Sequence, residues 1–159
     1  MKTRRAAHFS RCGRYRYALW RTWNANLPTM LFIGLNPSTA DAIEDDPTTR
    51  RCIRFAQDRG YGRLAVANLF ARHTPKPAVL RRKSKPVGRH NNRWLLRLAA
   101  ESDICVAAWG NAGRHLGRDA EVIALISDLQ CLGLTRSGAP RHPLYVRADT
   151  VLRSLDGIR

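Results

Sequence analysis

Three polar side chains stand out because of their neighbours. Asn36 falls between Gly34-Leu35 and Pro37-Ser38, directly after the apolar run MLFI; Asn68 sits inside VANLF; His142 lies between Arg141 and Pro143. A glycine ahead of an amide lets a ligand or backbone approach closely, and a proline behind it fixes the turn. An amide held in this way carries both a donor and an acceptor, so it can orient a water or read the edge of a pyrimidine. Among apolar neighbours, as at Asn68, it must find partners or cost about 1–3 kcal/mol. A histidine beside Arg141 is favoured in its neutral form, which donates a hydrogen bond without being a strong acid. Each residue also has a plainer reading. Asn36 can cap a turn through its own backbone, Asn68 can be structural, and His142 can be an ordinary surface histidine.

The elements that must position these groups alternate between strand and helix. MLFIGLN reads as a first buried strand, and DDPTTRRCIRFAQDRG as a helix capped by Asp46, with Pro47 at its first position and Gly60 at its end. RLAVANLF (63–70) is a second strand, HNNRWLLRLAAE (90–101) a helix, and DICVAAWG (103–110) a third strand. Residues 118–130 fit another helix, CLGLT a short fourth strand, and ADTVLRSL (148–155) a closing helix. This order predicts an α/β fold with a parallel sheet covered on both faces. Ligands of such sheets bind at the carboxyl ends of the strands. Asn36, Asn68, Trp109-Gly110-Asn111 and Arg141-His142-Pro143-Leu144 all follow strand ends in this reading. Ahead of them, FSRCGRYRYALWRTW (9–23) alternates polar and aromatic residues around Gly13 and suits a hairpin or edge strand, while RRKSKPVGR (81–89) reads as a mobile basic loop.

The 28 Lys and Arg outnumber the 12 Asp and Glu, leaving a net charge of +16 with histidines neutral. Such an excess concentrates polyanions near the surface, so nucleic acid is the expected partner; an arginine-rich genome would give the same balance. Arg11, Arg14, Arg16 and Arg21 are interleaved with Tyr15, Tyr17, Trp20 and Trp23. Aromatics stack bases and arginines pair phosphates, although core packing also claims some of these rings. Cys12, Cys52, Cys105 and Cys131 stand far apart, so free thiols are expected rather than zinc or iron–sulfur ligands, with no cofactor and no metal. No signal-peptide-like segment is seen, and no apolar run approaches the ~20 residues that span a bilayer. A single domain over residues 1–159, with 1–25 a basic aromatic extension, is expected as a cytoplasmic monomer away from membranes.

The whole string, including CGRYRY (12–17), GLNPSTAD (34–41) and DDPTTRRC (45–52), resembles a bacterial and phage family catalogued as domain of unknown function 1643. More distantly, GLNPS, then N-x-x-x-R from a strand, then His-Pro-Leu resembles the uracil-DNA glycosylase superfamily over residues 30 to 155. That likeness implies a three-layer α/β/α sandwich around a mostly parallel four-stranded sheet. It also implies hydrolysis of the N-glycosidic bond of a uracil or modified pyrimidine turned out of DNA, since the reacting bond is otherwise buried in the stack. Carried over residue by residue, Asn36 orients the water and His142 donates to the base oxygen that becomes anionic. Gly34, Leu35, Pro37 and Ser38 form the first motif, and Asn68 reads the base edge. Arg72 binds a flanking phosphate, and Leu144 fills the gap left in the duplex. Asn111 is expected beside the substrate, and Arg14, Arg16, Arg141 and Arg147 against DNA.

Two departures qualify that pattern. No aromatic follows the first motif before Phe55, so Tyr17 is the substitute expected to stack on the base. The first motif also carries Asn rather than a carboxylate; Glu44-Asp45-Asp46 either begins a helix or supplies the missing acid. Beside glycosidic hydrolysis stand a module that binds a flipped base or nucleic-acid end without cleaving it, and a hydrolase of free nucleosides or nucleotides.

Overall fold

The apolar runs of the sequence become neighbouring parallel strands. The 9–23 segment expected as a hairpin or edge strand supplies the strand Arg16–Thr22, and exposed segments that carried no strand signal, Arg4–Phe9 and Arg153–Ser154, extend the sheet at its two edges. The computed structural model describes residues 2–158. Its strands are β1 (Arg4–Phe9), β2 (Arg16–Thr22), β3 (Thr29–Gly34), β4 (Arg63–Asn68), β5 (Ile104–Ala107), β6 (Gln130–Cys131) and β7 (Arg153–Ser154). Its helices are α1 (Pro47–Asp58), α2 (Pro77–Leu80), α3 (Asn91–Glu101), α4 (Arg118–Leu125) and α5 (Leu155–Ile158), with 3-10 turns at Asn111–Gly117 and Pro143–Tyr145. The sheet order is β1-β2-β4-β3-β5-β6-β7. Pairing is parallel for β4-β3, β3-β5 and β5-β6, and antiparallel for β1-β2, β2-β4 and β6-β7.

This open, mixed, seven-stranded sheet corrects the expectation of a uracil-DNA glycosylase-like sandwich on a four-stranded, mostly parallel sheet. The glycosylase and hydrolase identity implied by that likeness therefore has no footing in the sheet topology. The added strands explain the miss. β1 is exposed along most of its length and lacks an apolar face, and β7 is two exposed residues. The expected closing helix at 148–155 is also corrected. Arg59 donates to the carbonyls of Ala148 and Thr150, and Arg153–Ser154 then pair with β6, so helix begins only at Leu155. The helix expected over 118–130 stops at Leu125, because Ile126 is extended and Asp128 takes a positive φ of 57° to enter β6.

The strand interiors explain why the sequence showed unbroken apolar runs rather than alternation. Leu31, Ile33, Ala65, Ala67, Cys105 and Ala107 pack on one face with Leu95, Leu98 and Val122 of α3 and α4. Met30, Phe32, Leu64, Val66 and Val106 pack on the other with Cys52, Phe55 and Ala56 of α1. Both faces of the central strands are therefore dry. Asp46 caps α1 by accepting from the Thr49 amide at 2.7 Å, with Pro47 in the first turn. No helix among the described residues is long and apolar enough to cross a membrane.

The loop between β3 and α1 is long and has no secondary structure; a buried cation shapes it. Arg21, 0% exposed, places Nε 2.7 Å from Asp45 Oδ1. Its Nη groups donate to the carbonyls of Trp20, Asp41 and Glu44 at 2.8, 2.6 and 3.1 Å. Removing one partner of a buried pair leaves the rest uncompensated. Arg21→Met should lower the unfolding free energy by about 3–5 kcal/mol, read from the urea midpoint at unchanged slope. Arg54→Met, which removes an exposed pair with Asp58, should leave the midpoint in place.

Candidate functional site

A cavity of about 270 Å³ lies at the carboxyl ends of the parallel strands. It gathers Gly34, Leu35, Asn36 and Ser38 after β3, Asn68 at the end of β4, Trp109 after β5, and His142, Pro143, Leu144 and Tyr145 from the later 3-10 turn. Arg16 of β2, the α1 cap Asp46, Thr49 of α1 and Thr74 also line it, over a floor that includes Phe32, Cys52 and Val66.

Gly34 and Asn68 are register partners on adjacent parallel strands. A Cβ on Gly34 would stand 2.9 Å from Asn68 Oδ1, so the glycine is the space the amide occupies. The Asn68 carbonyl is fixed from behind by Asn91 Nδ2 at 2.9 Å, which also donates to the Leu69 carbonyl at 3.0 Å. Arg118 Nε donates to the same Leu69 carbonyl at 2.7 Å. Asn68 is 4% exposed, yet its Nδ2 has no partner among the described residues. A buried donor in this state costs about 1–3 kcal/mol until an acceptor arrives.

Asn36 is oriented unambiguously. Its Nδ2 donates to the carbonyls of Pro37 at 3.1 Å and Thr74 at 3.0 Å, which leaves Oδ1 as the acceptor. Thr74 is itself placed by its amide, which donates to the buried Pro37 carbonyl at 3.1 Å. His142 opens the 3-10 turn, and its Nδ1 accepts from the Leu144 amide at 3.2 Å. In the neutral ring the proton therefore sits on Nε2. Burial lowers the His142 pKa, with Asp46 opposing the shift, so burial rather than neighbouring positive charge keeps the ring neutral. Arg51 of α1 ties this turn down, donating to the carbonyls of Pro143 at 3.2 Å and Val146 at 2.6 Å.

Two charged residues enter the wall that sequence reasoning placed elsewhere or left open. Arg16 was expected on a DNA-facing surface but is 3% exposed, with Nη1 donating to the Ala40 carbonyl at 2.8 Å and Nε unpartnered among the described residues. Desolvation pushes its pKa down to about 10, with Asp46 opposing, so it remains a cation at neutral pH. Asp46 is 7% exposed; its Oδ1 accepts from Thr49 and its Oδ2 from the Ala40 amide at 3.4 Å. It caps a helix and lines the pocket at once. The alternation of Arg with aromatics hid Arg16, because a bulge changes which way it faces. No three of His, Cys, Asp and Glu among the described residues are grouped to hold a metal ion.

The remaining expected residues divide. Leu144, 42% exposed, stands at the pocket mouth. Pro37 is buried just behind the lining, where its carbonyl receives Asn36 and Thr74. Arg72 lies over the Tyr15 ring at 5.8 Å, and Asn111 is exposed with Oδ1 accepting from Thr135 Oγ1 at 2.6 Å; neither lines the pocket. Arg14, Arg141 and Arg147 are exposed outside it, Arg141 donating to the Leu134 carbonyl and Arg147 paired with Asp149. Tyr17 is buried beside a separate groove, stacked on Tyr15; the aromatic rings at the pocket are Phe32, Trp109 and Tyr145.

The open mixed α/β sheet thus gathers amides, an imidazole and a buried guanidinium around a cavity at the carboxyl ends of its parallel strands, the place where α/β sheets carry ligands. Residues 16–144 match the family model described as Protein of unknown function (DUF1643), and the chain belongs to that family. Neither the curated proteins nor the solved structures hold a match to it.

Gly34→Ala should displace the Asn68 amide and weaken ligand binding while the far-ultraviolet spectrum is kept. Asn91→Leu should instead destabilise the fold by about 1–3 kcal/mol, by removing the side-chain donor to the Asn68 carbonyl and one of the two to the Leu69 carbonyl. His142 and His73 both have pKa values lowered from 6.5, chiefly by burial. As pH falls below about 6.5 the unfolded chain takes up these protons before the folded one does, so stability should decline until the folded values are passed. Histidine NMR titration against pH-dependent unfolding checks this, and a ring titrating above 6.5 would contradict it.

Proposed function

We propose that this pocket receives a uracil or modified pyrimidine turned out of DNA and hydrolyses its N-glycosidic bond. The observation that carries the reading is the meeting of Asn36, Asn68 and His142 at one base-sized cavity, with Asn68 Nδ2 buried and awaiting an acceptor. The reading rests on the site and not on the fold.

Each group then has a task its geometry supports. Asn68 offers a donor to a pyrimidine carbonyl. Asn36 Oδ1, with its amide nitrogen already engaged, accepts from the attacking water and orients it toward the anomeric carbon. As the bond between that carbon and the base nitrogen breaks, the electron pair leaves with the base, the sugar becomes cationic, and the water oxygen bonds to it. The water's proton leaves to solvent or to the departed base. His142 Nε2–H donates to the base oxygen that gains charge, a form of anion stabilisation that needs no proton transfer. The buried Arg16 cation favours the same charge. Positive charge over the surface raises the encounter rate with DNA.

A second reading, retention of a base without cleavage, is favoured by one feature. The strand-end group is a neutral amide, and both oxygens of the nearby Asp46 are already bonded to backbone amides. This carboxylate is then a weakened base for the water's proton.

Labelled oligonucleotides containing uracil, mismatched thymine or hypermodified pyrimidines, treated with heat and alkali to reveal abasic sites, separate the two. Hydrolysis predicts base release that Asn36→Ala and His142→Ala each reduce roughly a hundred- to a thousandfold. Asn68→Ala should chiefly weaken binding and blur the choice of base. Release unchanged by Asn36→Ala and His142→Ala would end the catalytic assignment; binding that Asn68→Ala weakens, with no product, would establish the second reading.

A further inference from the structure

A second concavity, of about 1120 Å³, opens beside α3 on the side of the sheet away from α1. It is walled by the β1–β2 hairpin, the 85–90 segment and Trp94. Its rings are arranged in pairs. Tyr15 stacks on Tyr17 at 6.2 Å with planes 9° apart, and His8 lies 4.5 Å from Trp94. Tyr15 and Trp94 are half-buried, and His8 is exposed. Arg11, Lys85 and Arg89 project around them, all exposed, and no carboxylate lines the groove among the described residues.

The groove is built rather than incidental. Tyr15 Oη donates to the Lys85 carbonyl at 2.8 Å, pinning the basic segment to the hairpin. Ala71 and Arg72 amides donate to the carbonyls of Val87 and Pro86, each at 3.0 Å. Gly88, at φ +88°, lies so close that a Cβ would stand 2.9 Å from Tyr15 and 3.0 Å from Tyr17. The segment expected from the sequence to be a mobile loop is thus held against two aromatic rings.

We propose that this groove is a track for single-stranded DNA, distinct from the base pocket. Cations without a facing carboxylate attract a phosphate chain, and half-exposed rings offer stacking partners that only unpaired bases can use. An acidic peptide would satisfy the cations and leave the rings without partners. The choice of DNA rests on the proposed function above; the groove itself needs no chemistry in the pocket.

The probe is an oligothymidine of about 15 nucleotides, which a single groove of this kind can span. Cys12 lines the groove and is the exposed thiol, whereas Cys52, Cys105 and Cys131 are buried, so its alkylation reports occupancy. The oligomer should slow Cys12 alkylation, and His8→Ala or Tyr15→Ala should weaken binding roughly tenfold each. Lys85→Gln with Arg89→Gln should reduce the slope of log affinity against log salt by about 1.4. Arg54→Gln, an exposed change outside both cavities, should leave all of this unchanged. Unprotected Cys12 with unaltered binding in the groove variants would overturn the track, as would an equal loss of binding in Arg54→Gln. Displacement by oligoglutamate at equal charge, or tighter binding of the matching RNA, would overturn the assignment to DNA. Oligothymidine held in the groove by a protein that releases no base would sink the catalytic reading alone.

Discussion

The site depends on one buried guanidinium. Arg21 has no access to water, and in the low-dielectric interior its charge is tolerable only because Asp45 and several carbonyls surround it. Those carbonyls belong to the segment that leads from β3 to α1, which has no ladder of its own to fix it. By closing that segment, Arg21 sets where α1 begins. α1 in turn sets Asp46 at its first turn and, through Arg51, the 3-10 turn that presents His142. The apolar core supplies the bulk of the burial, but this cation aligns residues from distant parts of the chain.

The same logic governs the strand ends. A parallel strand that stops leaves carbonyls and amides with no neighbour, and buried groups of this kind must be satisfied by side chains. Asn91 and Arg118 do so behind β4, and the Asn36 amide does so behind Pro37 and Thr74. Among the pocket-lining residues that are described, the polar side-chain atoms left without a partner are an amide nitrogen of Asn68, a guanidinium nitrogen of Arg16 and the indole nitrogen of Trp109. Buried polar groups without a protein partner each call for an explanation, and these three face one cavity.

Legibility from sequence followed burial. β3, β4 and β5 were readable because both their faces are dry, and α1 because Asp46-Pro47 is a strong entry signal. The placing of Asn36 and Asn68 together was readable because one follows and the other ends a parallel strand, whereas His142 arrives from a 3-10 turn well past β6. β1 and β7 were not, since edge strands formed by exposed residues carry no apolar period and exist only because a neighbour offers its free edge. Arg16 and Asp46 were visible as residues but not as pocket walls. A basic residue among aromatics looks like surface, and an Asp before a proline looks like a cap. Only the fold reveals that the cap also faces the cavity.

Arg16 and Tyr17 show how one backbone irregularity separates two surfaces. His8 pairs with Ala18 while the next residue, Phe9, pairs with Arg16, so Tyr17 is the extra residue of a bulge. Strict alternation would put Arg16 and Ala18 on the same face. The bulge breaks the phase, sending Arg16 toward Ala40 and the strand-end pocket while Tyr17 and Ala18 turn toward α3. A strand that read as a continuous basic aromatic stripe therefore feeds its cation to one cavity and its ring to another. The two sites share β2 as a rigid wall, so a nucleic-acid strand gripped along the groove and a base seated in the pocket would be referred to the same backbone.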